Sequence, residues 1–370
     1  MIDRLETRLL LRPEDLRPTD DRFEVVGVFN PGAVFWDGEV ILLVRVAERP
    51  RQKIPGFTGL PRFDPDLGLV IDWVPSDELQ PMDPRVVRSR TTGRIRLTSV
   101  SHLRVVFCGA GRQVREVSPT TFRPSTLLEE YGVEDPRITV LEDRCYFTYV
   151  AVSRHGPATA LASTTNFQTF RRHGIIFCPE NKDVVLFPER VEGRFHAIHR
   201  PVCAAPFTPP EMWIARSMDL RFWGEHSALD LGSAHDQESQ GSMRRTPTGA
   251  GSQWRLGRVG AGAPPIRMEA GWLEIYHGCS VAPALGLVGA YQGGALLLDK
   301  NDPTTVLSRS PGPILAPDQS FERAGFVPNI IFPTGVIRDG EQLLVYCGAA
   351  DMYTEVVVLS ERAILQQLKP

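Results

Sequence analysis

Glycine and proline interrupt this chain so often, with 32 and 31 copies in 370 residues, that few long helices fit between them. Inside a helix glycine costs about 1 kcal/mol and proline about 3 kcal/mol relative to alanine. The apolar runs that remain are short and rich in Val, Ile, Phe and Tyr, which fit a pleated, half-buried surface. The chain is therefore expected to be all-β. One unit recurs: a turn with Asp, Glu or Gly, an apolar strand, and a polar or charged residue at or just past its end. It reads "WDGEVILLVRVAE", "LEDRCYFTYVAVSRHG", "VEGRFHAIHRP", "AGWLEIYHG" and "RDGEQLLVYCGAAD", with a further member in "SHLRVVFCGAG". The five units start near residues 37, 142, 192, 271 and 339, which suits five blades of about four strands each. The expected fold is a five-bladed β-propeller, a single domain over residues 1–370, with a short C-terminal helix in "LSERAILQQL". A second helical hint lies around "STLLEEYG", and "SAHDQESQGSMRRTPTGAGSQ" reads as a long loop over one face. A pair of β-sandwiches would also explain the strands but gives no reason for the polar endings.

Composition narrows the function classes. At 42% hydrophobic and 23% charged the chain is globular, and a net charge of −3 with no long basic run gives nucleic acid nothing to bind. "MIDRLETRLLLRPEDL" lacks the uninterrupted apolar region of a secretory signal, and "VAPALGLVGAY" is far too short to span a bilayer. A soluble, cytoplasmic protein is expected. Cys108, Cys145, Cys178, Cys203, Cys279 and Cys347 lie far apart with no C-x-x-C pair, mostly in apolar runs, and read as reduced core residues.

The polar strand ends are Arg45 and Glu48, Arg154 and His155, His199 and Arg200, His277, and Asp351. In a propeller such ends converge on one mouth of the central channel, giving a cation-rich funnel suited to an anionic or phosphorylated ligand. Each residue alone is equally at home as a structural or solvated group; the coincidence of five endings favours a site. Other chemistries lack their motifs. "CGAGRQV" and "VGAGAPPI" are turns rather than dinucleotide fingerprints, no helical H-x-x-x-H or H-E-x-x-H signals zinc, and no G-x-S-x-G elbow appears. What remains is acid chemistry beside a polyol or sugar. Glycosidic cleavage by water usually needs two carboxylates, whereas phosphate as nucleophile needs one carboxylate and a basic cradle.

The acid stands out in "YGVEDPRIT", where Glu134 and Asp135 meet Pro136 and Arg137. This block, together with "FNPGAV", "LLVRVAE", "RLTSVSHLRVVF", "NKDVVLFPERVEGRFHAIHRP", "GAGAPPI", "GWLEIYHG", "FERAGFVPNIIFPTG" and "YCGAAD", resembles glycoside hydrolase family 130, the inverting mannoside phosphorylases and related β-mannosidases. The resemblance runs almost the whole length and itself implies a five-bladed propeller. It implies that Asp135 is the general acid, protonating the glycosidic oxygen through the 3-hydroxyl of mannose. It places Asn30, Arg45 and Asp351 on the donor mannose, with Glu134 and Arg137 tuning the acid or touching sugar. Lys182, Arg200, Arg258 and His277 are expected to grip phosphate, with His199 assisting or supporting the fold.

The expected activity is inverting phosphorolysis of a short β-linked mannoside, a β-1,2-linked mannobiose or oligomannoside or a β-1,4-linked mannosyl-glucose or mannosyl-N-acetylglucosamine, giving α-mannose 1-phosphate. No metal or other cofactor is expected beyond inorganic phosphate as co-substrate, and relatives of this kind often form homo-oligomers. Two alternatives stay open: an inverting β-mannosidase on the same fold, with Glu225, Asp236 or Glu238 activating water, and a propeller that only binds carbohydrate.

Overall fold

The computed structural model describes residues 1–202, 209–231, 253–284 and 286–368. It is mostly β, with two short α-helices among the described residues, Ser320–Arg323 and Glu361–Gln367. Strands follow one another as antiparallel neighbours. The first group comprises Phe23–Trp36, Glu39–Pro50, Val100–Phe107 and Glu116–Phe122; the second Gly132–Leu141, Arg144–Ser153, Gly156–Thr164 and Arg171–Phe177. A single parallel pairing, Gly132 with Ser101, joins these two. The third group runs through Asn181–Leu186, Phe195–Pro201, Trp213–Ser217 and Trp223–Ala228, and the fourth through Arg258–Ala261, Trp272–Cys279, Tyr291–Leu298 and Val306–Arg309. The fifth takes Ile331–Asp339, Gln342–Ala349 and Tyr353–Ser360 from the end of the chain and its outer strand, Glu6–Leu11, from the beginning.

Each recurring sequence unit is the second strand of its group, and the sixth, "SHLRVVFCGAG", is the third strand of the first. The wide gap between the first two units has a physical cause. Residues 51–99 form an inserted arm of a hairpin, Phe57–Asp64 with Gly68–Pro75, and a small sheet of Leu79–Asp83, Val86–Ser89 and Ile95–Leu97.

Second strands read as unbroken apolar runs because both faces are covered. In Glu39–Pro50, Ile41 and Leu43 pack with Phe147 and Tyr149 of the second group, while the alternate residues Leu42, Val44 and Val46 pack with Leu344 and Tyr346 of the fifth. The same layering repeats between second and third groups around Leu161 and Phe195, third and fourth around Ile198 and Trp272, and fourth and fifth around Ile275 and Val345. Every group therefore packs face to face on the next, and the fifth on the first.

The expected C-terminal helix is present, capped by Ser360 Oγ accepting from the Ala363 amide at 3.3 Å, with Ile364 buried between the fourth and fifth groups. "STLLEEYG" makes only a 3-10 turn at Leu127–Glu129. Three residues are too few to offset helix nucleation, and the turn is held by Ser125 donating from its amide to Glu129 at 2.7 Å. The long polar loop falls outside the described residues apart from Gln253, which opens a 3-10 turn, Gln253–Arg255. Four of the cysteines, Cys108, Cys145, Cys279 and Cys347, are buried and free as expected; Cys178 is free but exposed, one residue beyond the strand Arg171–Phe177, and Cys203 lies outside the described residues. Among the described residues no helix is long and apolar enough to cross a membrane.

Candidate active site

In three of the groups a break in the first strand coincides with a left-handed residue. Pairing slips between Phe29 and Gly32, between Glu134 and Arg137, and between Lys182 and Val185. At each slip one residue takes a positive φ: Asn30 at 51°, Asp135 at 50° and Asp183 at 56°. Asn and Asp tolerate this left-handed conformation better than other side-chain-bearing residues, and an extra residue in a strand re-aims its neighbours. Asn30 and Asp183 are buried, Asp135 is half-buried, and all three line one cavity of about 550 Å3.

Asn30 Nδ2 donates to Asp135 Oδ1 at 2.9 Å. Arg45, from the second strand of the first group, donates from Nη1 to the same oxygen at 3.0 Å, from Nη2 to Glu134 Oε1 at 2.7 Å and from Nε to Ser101 Oγ at 3.0 Å. Its guanidinium also lies 4.6 Å from the centre of the Phe29 ring. Burial works against charge on Asp135, but Arg45, Arg137, the Asn30 amide and Lys182 outweigh it and hold the carboxyl below its ordinary range. Arg137 stands beneath this cluster: Nε donates to the Gly262 carbonyl at 2.6 Å and Nη1 to the backbone carbonyl of Asp135 at 2.7 Å. It is buried and not among the cavity-lining residues, so its donors brace the bulge that carries Asp135.

The opposite half is basic. Arg200 donates from Nε to Asp183 Oδ2 at 2.8 Å, and His277 Nε2 stands 3.4 Å from the same oxygen. Gly260 permits this packing, since a Cβ there would fall 2.5 Å from Asp183 Oδ2 and 2.7 Å from the His277 ring. Burial depresses the His277 pKa, partly offset by Asp183, whereas Asp183 overcomes its own burial through Arg200, His277 and Arg137 and is held well below the usual carboxylate range. Lys182 and Arg258 also line the cavity, and neither makes an ion pair among the described residues.

Asp351 completes the ring from the turn after Gln342–Ala349, with φ 50° and Oδ2 accepting from Arg85 Nη1 at 3.0 Å. Burial raises its pKa despite Arg85 and Arg45, and Asp135 adds to the rise. Of the strand-end residues, Arg45, Arg154, His155, Arg200, His277 and Asp351 line the cavity, while Glu48 and His199 do not. His199 stacks on Phe177 at 4.5 Å and 15°, with Nδ1 and Nε2 each 3.0 Å from Asn181 Nδ2 and His226 Nδ1. Burial and His226 push its pKa down to about 3, which makes it a neutral structural group. Glu225 sits on the exposed outer strand of the third group, paired with Arg194 and Arg216 and away from the cavity. Asp236 and Glu238 lie outside the described residues.

Among the cavity residues that sequence reading did not flag are Asp183 and Arg85. Asp183 had an available signal, because "NKDV" repeats the polar break of "FNPG" and "EDPR" at the same place in its group. Arg85 belongs to the inserted arm, which has no counterpart in the other groups and hence no repeat to flag it.

Comparison with known proteins assigns this fold and its charged cavity to a class of carbohydrate-active enzymes. The glycoside hydrolase family 130 model, described as β-1,4-mannooligosaccharide phosphorylase, matches residues 102–370, and this chain belongs to that family. The β-1,2-mannobiose phosphorylase of Listeria innocua is 35% identical over 373 residues, covering 100% of this chain and 98% of its own. A solved structure of the Listeria innocua β-1,2-mannobiose phosphorylase in complex with β-1,2-mannobiose superposes with a TM-score of 0.86 at 35% identity, over 97% of this chain and 96% of that one. The β-1,4-mannooligosaccharide phosphorylase of Ruminococcus albus is 31% identical over 223 residues, 60% of each chain.

Proposed function

We propose that this chain is a β-mannoside phosphorylase, built as a single five-bladed β-propeller over residues 1–370, that cleaves β-1,2-mannobiose with inorganic phosphate and inverts to α-mannose 1-phosphate. Five groups of four or five strands packed in a cycle support the propeller reading. The full-length relative from Listeria innocua supports the linkage.

The observation that carries the mechanism is the division of charge in the cavity. Glu134, Asp135, Asp183 and Asp351 are each engaged by an arginine, while Lys182 and Arg258 face the cavity without an ion-pair partner among the described residues. Such a half seeks an anion. In this reading Lys182, Arg200, Arg258 and His277 hold phosphate, and Asn30, Arg45, Glu134 and Asp351 hold the donor mannose. Arg137 acts from below by fixing the backbone of Asp135.

Asp135 must carry a proton to act as an acid, yet the protein's own charges favour its ionised form. A phosphate dianion that takes up the positive charge of the basic half, and a mannoside that excludes water, both push its pKa upward. Both substrates thus arm the acid. A phosphate oxygen then attacks the anomeric carbon, the bond to the leaving sugar breaks on the opposite face, and the leaving oxygen takes the Asp135 proton through the mannose 3-hydroxyl.

Hydrolysis would require a free carboxylate to activate water. Asp183, clamped by Arg200 and strongly acidified, is a poor base for that role. Incubating the protein with β-1,2- and β-1,4-mannobiose, with and without phosphate, tests the reading. Phosphate-dependent release of α-mannose 1-phosphate, faster from the β-1,2 dimer, is expected. Free mannose released at the same rate without phosphate would replace this reading with the hydrolase.

A further inference from the structure

The inserted arm places one of its side chains on a residue 266 positions away in sequence. Arg85 lines the cavity and donates from Nη1 to Asp351 Oδ2 at 3.0 Å. Its other donors are fixed within the arm: the backbone amide reaches Asp83 Oδ1 at 2.7 Å, Nη2 reaches Asp83 Oδ2 at 3.0 Å, and Nε reaches Oδ1 at 3.3 Å. The guanidinium is therefore oriented by its own turn before it meets Asp351.

The arm is itself anchored. Leu60, Leu79 and Val87 form its small core, Asp72 accepts from both Arg62 and Arg96 at 2.9 Å, and the Phe63 amide donates to the Glu130 carbonyl at 2.7 Å. Arg96 further lies 5.2 Å from the centre of the Tyr131 ring. Arg85 is thus held in place from a base fixed beside the second group, and it reaches the fifth. An exposed surface pair of this kind would contribute little, but the Asp351 side chain is only 9% exposed, so its charge depends on what surrounds it.

We propose that Arg85 is a positioning residue for sugar recognition, delivered by the arm to orient Asp351 and keep it ionised so that it accepts hydrogen bonds from the donor mannose. The proposal rests on the reading of Asp351 as a sugar contact. Three charged groups act on Asp351: Arg85 from the arm, Arg45 from the first group and Asp135 from the second. Burial already raises the Asp351 pKa, Asp135 raises it further, and the two arginines oppose them. Removing the charge of Arg85 leaves Arg45, already shared with Glu134 and Asp135, as the sole cation in that set.

The sign follows. In Arg85→Gln the acid limb of kcat/KM for β-1,2-mannobiose moves to higher pH by about one unit or more, since a lost neighbouring cation disfavours the carboxylate. On the acid side KM for the mannoside rises about tenfold or more, the difference narrows as pH rises, and KM for inorganic phosphate stays within about twofold. Arg85→Lys keeps the charge and returns the limb toward its original position. A merely structural role would lower activity without moving the limb, or would weaken phosphate and mannoside alike; either result overturns the proposal. Asp351→Asn separates this failure from failure of the underlying reading. If Asp351→Asn has unaltered kinetics, Asp351 is no sugar contact; if it is crippled while Arg85→Gln keeps its limb, only the role of Arg85 falls.

Discussion

At the scale of single residues, Arg45, Arg85 and Arg200 are bound to the cavity's own carboxylates, and Asp135 is held at both its side chain and its backbone. It accepts from Asn30 and Arg45 through the same oxygen, and Arg137 holds its backbone. Asp135→Asn keeps the shape and suits the 50° φ, since Asn favours this conformation more than most residues, so melting is expected to shift by only a few degrees. Phosphorolysis and the reverse synthesis from α-mannose 1-phosphate are expected to fall together, by about 10²- to 10⁴-fold. A variant with an unchanged rate in either direction would show that the acid lies elsewhere. Asp135, Asn30 and Arg45 were legible as candidates because each sits in a distinctive block at a strand end or break. Asp183 was not singled out, since in "NKDVVLF" an acid before a run of apolar residues reads as an ordinary strand start. Its meaning comes from Arg200 and His277, which reach it from other strands.

At the scale of elements, the second strands announced themselves and the first strands did not. A second strand such as Gln342–Ala349 is buried on both faces, so burial writes an unbroken apolar run into the sequence. First strands carry the breaks that build the site, and a break with Pro, Gly or Asn resembles a turn in any local reading. Gly348 ties the two kinds together. A Cβ there would lie 1.9 Å from Asn30 Oδ1 and 2.8 Å from the Asn30 backbone nitrogen, so a side-chain rotation alone cannot relieve the clash. Gly348→Ala is expected to destabilise the protein by about 1–3 kcal/mol and to drive Asn30 off Asp135, reducing activity as well. Gly224→Ala serves as the control, because that glycine has a strand conformation without positive φ and a Cβ there would meet nothing within 4 Å. Thermal unfolding of the two variants, with mannobiose phosphorolysis alongside, checks the contrast. Equal melting temperatures would mean that the first strand yields freely.

At the scale of the whole molecule, the two ends of the chain meet in one sheet, and the junction buries acids. Glu6–Leu11 pairs with Tyr353–Ser360, Glu355 stands opposite Leu9 on one side and Cys347 on the other, and Arg4 donates to Glu322. Glu322 is engaged by Arg4 and by the amides of Asp318 and Gln319, whereas neither Glu355 oxygen has a donor among the described residues. Burial first, and then the neighbouring Glu322 carboxylate, lift the Glu355 pKa well above the ordinary 4.5, with Arg4 opposing. The folded protein therefore keeps a proton on Glu355 that the unfolded chain releases near pH 4.5. Below that value both states hold the proton and nothing changes. Above it the unfolded state binds fewer protons than the folded one, so stability falls by about 1.4 kcal/mol per pH unit until Glu355 itself ionises. Glu274, buried and raised in the same direction, adds to the slope, while the depressed carboxyls of Asp135 and Asp183 act only below the ordinary carboxylate range. Glu355→Gln preserves the packing, carries no ionisable group and can still donate toward Glu322. It is expected to melt higher than the parent protein at pH 8 and to match it most closely near pH 5, the difference between the two curves isolating Glu355 from the raised carboxyls of Glu274, Asp351 and Glu48 and from the depressed histidines His102, His199 and His277, which both proteins share. Melting curves recorded from pH 5 to 8 decide the matter: parallel dependence in the two proteins would place the proton elsewhere, and a variant less stable at every pH would mean that Glu355 is held there as a carboxylate.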